Sequence, residues 1–363
     1  MTKIISVLTL GLLFLSACTS SSKKEEVTGE EATGAPTILY SFVTVGCNRI
    51  AWSDDGSAWK SSADYNAAHA NLNQLTATFD DVLKLQHTPD YFFFTGDMVL
   101  AENSDTTVLI DQLTAWKALY DSHPIARSSV KMVAIPGNHE FLYSLGKAHN
   151  FEEVSNPAAN KIWLRIMGDF IANNNGPGPG GPDSLLYDER QLTYSLDHKG
   201  DHFVIMNTDT YDQPGKTPYH WIGQDMQSYR AANPDGHLFL FGHKPPYDQG
   251  NYQDTVKDAC TYPDLCKVWD VMTTTRAEAM FSAHEHLFWA GVPAVGKSWQ
   301  IIAGNGGTKL DAGDFFGFTE VQVMSDGRVM ALSHGRPVPD PDYGTLVGAT
   351  TVRNTFDITW KGK

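Results

Sequence analysis

Five predicted β-strands of this sequence each end in a short motif that contains polar residues. The apolar runs lie at 38–46, 91–96, 130–137, 237–242 and 279–283. The motifs at their ends read GCNR, GDMV, GNHE, GHKP and AHEH. The functional crevice of an open α/β sheet lies outside the carboxyl ends of its strands. The sequence therefore predicts a sheet that brings these polar side chains to one edge.

Helical patterns separate the predicted strands. Residues 68–86 place Leu75, Phe79 and other apolar residues on one face at helical spacing, and a second helical stretch covers 106–120. Further helices are predicted at 219–230 and 264–274, and the clearest hairpin at 318–332. Strands that alternate with helices predict an α/β fold with crossover connections.

The strand-end motifs supply side chains that bind metal ions. Asp97 offers a carboxylate that can bridge two ions, and Asn138 and His243 offer an amide oxygen and a ring nitrogen. His284 and His286 are two residues apart, so in an extended backbone both point to the same side and each can serve a different ion. Such mixed nitrogen and oxygen ligands suit zinc, iron or manganese better than calcium.

The ordered set of motifs resembles the calcineurin-like metallophosphoesterase superfamily, which includes the purple acid phosphatases. The motifs GD, GNHE, GH and HxH follow one another in the order of that family, each after a predicted strand. The resemblance extends over about residues 41–335. It implies two stacked mixed β-sheets flanked by helices, in a four-layer sandwich. It also implies a metal-dependent phosphatase or phosphodiesterase with two metal ions.

The resemblance assigns the metal ligands residue by residue. The second metal site would consist of Asp97, Asn138, His243 and His284, and this set is complete. The first site would contain Asp97, His286 and a residue that follows the first strand. His139, beside Asn138, would act on the substrate instead of the metal, and Glu140 would orient its neighbours.

The first site departs from the family pattern. Relatives have Asp-x-His after the first strand, whereas this chain has Cys47-Asn48-Arg49, and Leu100 replaces a polar residue. The alkaline phosphatase D family resembles this variant, because it also has a cysteine after the first strand and uses it to bind iron. Cys47 is thus either a metal ligand or a small buried residue, the role of most free cysteines. Arg49 is either a clamp for phosphate or a solvated surface charge.

The N-terminus is predicted to be a targeting segment. An apolar run follows Lys3 and ends in LSAC, which resembles the lipobox of bacterial lipoproteins. We expect a signal peptide at 1–17, lipidation of Cys18, and a flexible tether at 18–37. An ordinary signal peptide with an incidental Cys18 is the alternative. The catalytic domain would cover 38–335, followed by a C-terminal tail or strand at 336–363.

Export would place the chain in the bacterial cell envelope, which is an oxidising compartment. Cys260 and Cys266 flank a short loop and could pair there, or they could remain as two free thiols. A lipid anchor would hold the protein at a membrane, either on the periplasmic face or at the cell surface.

The formal net charge of −15 argues against a surface that binds nucleic acid. An anionic substrate would instead need a local positive centre, which metal ions can provide. We expect two ions, of iron, zinc or manganese, about 3.5–4 Å apart, with a bridging hydroxide that attacks a small-molecule phosphoester. Arg49 and His139 would stabilise the transition state or the leaving group. Two alternatives are a catalytically inactive surface lipoprotein that retains one metal site and, more weakly, a hydrolase that uses one ion.

Overall fold

The computed structural model describes residues 35–360 with short gaps. The residues left out within that span are 52–55, 64–65, 102, 151, 157, 211–212, 214, 249–258 and 295. The predicted signal peptide, Cys18 and all but the last residues of the predicted tether lie outside the described residues. No helix in the described ranges is long and apolar enough to cross a bilayer.

The strands form two large sheets and one small sheet. In chain order they are β1 (Ile38–Val45), β2 (Tyr91–Thr95), β3 (Lys131–Ile135), β4 (Leu142–Ser144), β5 (Glu153–Ser155), β6 (Tyr194–His198), β7 (Asp201–Ile205), β8 (Leu238–Phe241), β9 (Ala279–Ser282), β10 (Phe288–Gly291), β11 (Trp299–Ala303), β12 (Phe315–Met324), β13 (Val329–Pro337) and β14 (Thr351–Asp357). The first large sheet has the order β14-β13-β12-β1-β2-β3 and the second has the order β10-β11-β9-β8-β7-β6. Strands β4 and β5 pair with each other.

Both large sheets are mixed. In the first sheet β1, β2 and β3 are parallel, while β12, β13 and β14 form an antiparallel half. In the second sheet β7, β8, β9 and β11 are parallel, and the edge strands β6 and β10 are antiparallel to their neighbours. The carboxyl ends of the parallel strands carry the polar motifs.

Helices cover the outer faces of the two sheets. They are α1 (Leu72–Val82), α2 (Thr106–Ser122), α3 (Asn138–Phe141), α4 (Ala159–Met167), α5 (Tyr219–Ala232) and α6 (Pro263–Thr275). Residues of α1, α2 and α4 share one hydrophobic cluster with the first sheet, and residues of α5 and α6 share another with the second sheet. The predicted arrangement of two mixed sheets flanked by helices is confirmed.

Strand β2 shows how the sequence builds these layers. All five of its residues are buried, and they alternate between two cores. Phe92 and Phe94 pack in the helix-side cluster, whereas Tyr91 and Phe93 pack between the sheets. The rings of Phe93 and Phe241 stack across the sheets with centroids 3.8 Å apart. Side chains on a strand alternate in direction, so a continuous apolar run is required where both faces are buried.

Several elements differ from the sequence-based expectations. Helix α1 is shorter than the predicted 68–86, because Asn71 caps its first turn by accepting a hydrogen bond from the Gln74 amide at 3.4 Å. The stretch at 141–190, in which the sequence shows no clear helix or strand pattern, contains β4, β5 and α4. The predicted domain boundary after residue 335 falls inside β13, and β14 pairs with β13 as an edge strand of the first sheet.

The two large sheets meet at the strand ends that carry the motifs. The Gly46 amide after β1 donates to the carbonyl of Ala303 at the end of β11, at 2.9 Å. The Cys47 amide donates to Gly96 and the Ala283 amide donates to His243, each at 2.9 Å. These backbone bonds hold together the loops that carry the predicted ligands.

Candidate metal centre

Asp97 lies at the centre of the predicted site and is 1% exposed. Its Oδ1 lies 3.1 Å from Nε2 of His243. Its Oδ2 contacts a different set of side chains, at 3.5 Å from Nε of Arg49 and 3.9 Å from Sγ of Cys47. The two oxygens of one carboxylate therefore face two groups of residues, as expected of a carboxylate that bridges two ions.

We call Asp97, Asn138, His243 and His284 the second cluster. The Oδ1 of Asn138 lies 2.9 Å from Nε2 of His243 and 3.1 Å from Nδ1 of His284. The two imidazole nitrogens are 3.3 Å apart. Ligands that lie about 2.0–2.1 Å from a tetrahedral ion are about 3.3 Å from one another. The spacing of the Asn138, His243 and His284 donors therefore fits a single ion.

Hydrogen bonds on the far side of these ligands decide which atoms face the second cluster. Nδ1 of His243 donates to the backbone carbonyl of Thr95 at 2.7 Å, so Nε2 of the neutral ring carries the lone pair. The amide nitrogen of Asn138 donates to Oε1 of Glu153 at 2.7 Å, which turns its oxygen toward the histidines. The lone pairs of the His243 nitrogen and the Asn138 oxygen thus point to one position, and a cation at that position would bind to both.

Three of the predicted ligands have a left-handed backbone. The φ angles of Cys47, Asp97 and His284 are +57°, +56° and +68°. This conformation is uncommon for residues other than glycine and concentrates at functional sites. At Gly137 a Cβ atom would collide with the carboxylate of Asp97, so only glycine allows this close approach.

We call Cys47, Asp97 and His286 the first cluster. One ligand atom from each lies within 4.8 Å of the others. Arg49 contacts two of the three, because its Nε lies 3.5 Å from Asp97 Oδ2 and its Nη2 donates to Nε2 of His286 at 3.4 Å. Nδ1 of His286 lies 3.3 Å from Oδ2 of Asp311, which leaves Nε2 on the side of the cluster. The set offers one sulfur, one oxygen and one nitrogen to an ion, with a guanidinium beside them.

Glu140 fixes the two loops that carry Asp97 and Asn138. Its Oε2 accepts from the amides of Gly137 and Asp97 at 2.7 and 3.1 Å. Its Oε1 accepts from the amides of Met98 and Val99 at 2.8 and 3.1 Å. A single buried carboxylate thereby satisfies four backbone donors and joins the ends of β2 and β3. This is the orienting role expected for Glu140.

His139 is buried beside both clusters. Its Nδ1 donates to the backbone carbonyl of Leu100 at 2.7 Å, so Nε2 carries the lone pair of the neutral ring. Burial, assisted by the charge of Arg49, lowers the pKa of His139 to about 4. Leu100, whose side chain breaks the family pattern, thus acts through its carbonyl oxygen.

Burial opposes protonation of His243, but the charge of Asp97 outweighs burial and raises the pKa of His243. At the other two predicted ligand histidines burial dominates and keeps the ring neutral. It lowers the pKa of His286 to about 3, and the nearby charge of Arg49 acts in the same direction. Burial and the neighbouring His243 lower the pKa of His284 well below its ordinary value. Neutral imidazole is the form that binds a metal ion.

The two acidic groups of the first cluster shift in opposite directions. Burial opposes ionisation of Asp97, but the attraction and hydrogen bond of His243, together with the charge of Arg49, outweigh it and hold the pKa of this carboxyl well below its ordinary value. Burial raises the pKa of the Cys47 thiol, and the negative charge of Asp97 adds a smaller effect in the same direction. A bound cation would act in the opposite sense on Cys47, because it stabilises a thiolate.

The structure brings together the residues predicted for the site. They are Cys47, Arg49, Asp97, Asn138, His139, His243, His284 and His286. The extended backbone expected for residues 284–286 is wrong, because this segment forms a tight turn in which the Glu285 amide donates to the Ala283 carbonyl at 2.8 Å. The turn nevertheless directs His284 to the second cluster and His286 to the first.

Four supporting residues carried no signal in the sequence. Thr95 acts through its backbone carbonyl, and Glu153 lies in a stretch with no regular pattern. Asp311 and Lys244 are each one of many charged residues in the sequence. Lys244 is buried, and its Nζ lies 2.5 Å from Oδ1 of Asp209.

Cys260 and Cys266 form a disulfide at the start of α6. Of the two alternatives for these cysteines, a disulfide or two free thiols, the structure has the disulfide, which an oxidising compartment favours. Among the described residues Cys47 is the free cysteine, and it is buried.

Comparisons with known proteins identify relatives of this fold. Residues 68–288, more than half of the chain, match the family described as calcineurin-like phosphoesterase. A purple acid phosphatase from yellow lupin (Lupinus luteus) seeds aligns with a TM-score of 0.51 at 18% identity, over 87% of this chain and 53% of the lupin chain. A dimetal phosphatase from Danio rerio aligns with a TM-score of 0.53 at 11% identity, over 90% of this chain and 100% of that chain. This chain thus spans about half the length of the lupin protein. No curated protein matches the sequence.

Proposed function

This chain belongs to the calcineurin-like phosphoesterase family, a family of phosphoric ester hydrolases, and we propose that it hydrolyses small-molecule phosphoesters at the site around Asp97. The family implies a dinuclear metal centre. Asp97, Asn138, His243 and His284 would hold one ion, and Cys47, Asp97 and His286 the other. Iron, zinc and manganese suit these mixed nitrogen, oxygen and sulfur ligands.

The observation that carries this proposal is the geometry of the second cluster. Three donor atoms from three separate strand ends lie 2.9–3.3 Å apart. The ligand atoms of His243 and Asn138 are oriented by bonds to Thr95 and Glu153, which are not ligands themselves. When His243 is neutral, its Nε2 lone pair and the Asn138 oxygen face the same position, and a cation there would satisfy both.

When bound, the ions would stabilise negative charge on the phosphoryl group and lower the pKa of water at the site. The side chains of this chain supply the remaining functions. The guanidinium of Arg49 binds two phosphoryl oxygens in a bidentate manner, which requires that it exchange its contacts with Asp97 and His286 for the substrate. His139, held by the Leu100 carbonyl, faces the leaving oxygen with the lone pair of Nε2, and it can protonate that oxygen only after Nε2 has taken a proton from water at the site.

The test is metal content and turnover of the full chain. The protein is stripped of metal, reconstituted separately with iron, zinc or manganese, and assayed with p-nitrophenyl phosphate and bis-p-nitrophenyl phosphate. Two bound ions per chain and hydrolysis of either compound would support the proposal. The comparison of the two compounds distinguishes a preference for monoesters from one for diesters.

One observation favours a second candidate, an inactive surface lipoprotein that retains a single metal. The Arg49 guanidinium contacts both Asp97 and His286, and in this position it can substitute for the charge of the first ion. This candidate predicts at most one bound ion and no turnover in the same experiment. The complete second cluster together with His139 argues for the enzyme, because an inactive protein has no need of these residues.

Replacing Cys47 by serine is expected to reduce the metal content from two ions per chain toward one. Serine keeps the size of the side chain but removes the sulfur ligand of the first cluster. Elemental analysis of the reconstituted variant measures this change, and circular dichroism checks the fold. Equal metal content in the wild type and the variant would make Cys47 a small buried residue only.

We also propose that the chain is lipid-anchored through Cys18 in the bacterial cell envelope. The lipobox-like LSAC sequence and the Cys260–Cys266 disulfide support this location. We expect labelled palmitate to be incorporated into the wild-type chain and not into Cys18→Ala. Equal labelling of both, or labelling of neither, would contradict lipidation at this position.

A further inference from the structure

Tyr262 contacts the second cluster from outside. It is the residue before α6, and its hydroxyl oxygen lies 3.4 Å from Nε2 of His284. The other nitrogen of the same ring, Nδ1, faces Asn138 at 3.1 Å and His243 at 3.3 Å. One imidazole thus connects the cluster with the tyrosine hydroxyl.

We propose that Tyr262 is a positioning residue that holds His284 in the orientation and tautomer in which Nδ1 binds the ion of the second cluster. The inference rests on the proposed function, because it requires that His284 is a metal ligand. Tyr262 acts through His284, and no contact with the substrate is assigned to it.

The tautomer of a metal-bound His284 follows from the chemistry of imidazole. A neutral ring that binds metal through Nδ1 carries its proton on Nε2, and this proton needs an acceptor. The Tyr262 oxygen is an acceptor within reach.

The other two ligand histidines have a comparable partner at their remote nitrogen. His243 donates to the carbonyl of Thr95, and Nδ1 of His286 faces the carboxylate of Asp311. Without Tyr262, His284 would be the one ligand histidine of the three that lacks a protein partner for this nitrogen.

The structure holds the Tyr262 ring in place from several directions. The Cys260–Cys266 disulfide closes the segment that contains it, and the Cys266 amide donates to the Tyr262 carbonyl at 2.9 Å. A Cβ atom at Gly215 would lie 3.0 Å from the ring, so the backbone there packs closely against it.

The segment around Tyr262 is also tied to the strand end that carries His243. The Thr261 amide donates to the carbonyl of Pro246 at 2.8 Å. The Nζ of Lys244 lies 5.4 Å from the centroid of the Tyr262 ring. Lys244 is itself fixed by its ion pair with Asp209. The ligand His243 and the positioning residue of His284 are therefore attached to one rigid unit.

The experiment is a zinc titration of the metal-free full chain, in competition with a chromophoric chelator. Four proteins are compared: the wild type, Tyr262→Phe, His284→Ala and Tyr120→Phe. The binding step that disappears in His284→Ala identifies the second cluster. Tyr262→Phe retains the ring and its packing but removes the hydroxyl. Tyr120→Phe removes a hydroxyl from α2, which packs on the other sheet, and serves as the matched control.

We expect the identified step to be about tenfold weaker in Tyr262→Phe, the lower end of the effect of removing an outer partner of a ligand histidine. The affinity of Tyr120→Phe should equal that of the wild type. An unchanged affinity in Tyr262→Phe would overturn the inference while leaving the proposed function intact. If His284→Ala removes no step, the ligand assignment fails and the inference fails with it. Urea unfolding without metal separates positioning from packing, because a comparable loss of metal-free stability in Tyr262→Phe would assign Tyr262 a packing role only.

Discussion

Replacing His243 by alanine should lower kcat/KM for p-nitrophenyl phosphate about a thousandfold and remove one ion per chain. His243 is fully buried and contributes one of the four donor atoms of the second cluster. Three donors would remain, and an ion bound by fewer ligands is held less tightly. A thousandfold loss corresponds to about 4 kcal/mol of transition-state stabilisation. Steady-state kinetics and elemental analysis on the same preparation measure the two effects together.

The control for His243→Ala is His220→Ala, an exposed histidine on α5. It should retain wild-type turnover and metal content. Asn138→Ala provides a second test with a smaller change in volume, and it should also lose the ion of the second cluster. Turnover that is unchanged in both His243→Ala and Asn138→Ala would remove the catalytic assignment of this site.

Replacing Glu140 by alanine should lower the free energy of unfolding of the metal-free protein by about 4 kcal/mol. The side chain is 1% exposed and accepts hydrogen bonds from four backbone amides. Its loss leaves these donors buried without a partner, at a cost of about 1–3 kcal/mol for each group that water cannot reach. Urea denaturation followed by circular dichroism measures the change.

Two further variants define the cause of this loss. Glu152→Ala removes an exposed carboxylate and should have little effect. Glu140→Gln keeps one acceptor oxygen but places an amide donor against two backbone donors, so its stability should be intermediate. A stability of Glu140→Ala within about 0.5 kcal/mol of the wild type, the range of ordinary surface substitutions, would show that the four amides find other partners.

A sequence pattern reports only on residues that are close together in the chain, and this decides which parts of the fold could be predicted. The strand YFFFT is apolar at every position because both of its faces are buried, and this pattern is visible without a structure. The strands β4 and β5 could not be predicted, since they have three residues each and too few positions to show a period. The apolar pattern overestimates the length of α1, because the cap at Asn71 does not interrupt the apolar spacing.

The sequence could predict which residues come together in the two clusters, but not the residues that support them. Asp97, Asn138 and His243 each follow a recognisable strand, so their type and position both indicate a site. Asp311 and Tyr262 contact ligand histidines from distant segments, at separations in sequence of 25 and 22 residues. Nothing in the local pattern around either residue indicates such a contact.

The sequence by itself determined which chemical groups come to the strand ends and in what order, because alternation of side chains and strand polarity are local properties of the chain. Only the tertiary structure decided which oxygen of Asp97 faces which cluster, that a turn at His284 divides two neighbouring histidines between two clusters, and that Arg49 lies against Asp97 and His286. These features depend on loops from two sheets that pack against each other and hold three ligands at positive φ. The free energy that maintains such a backbone comes from contacts between segments that are far apart in the sequence.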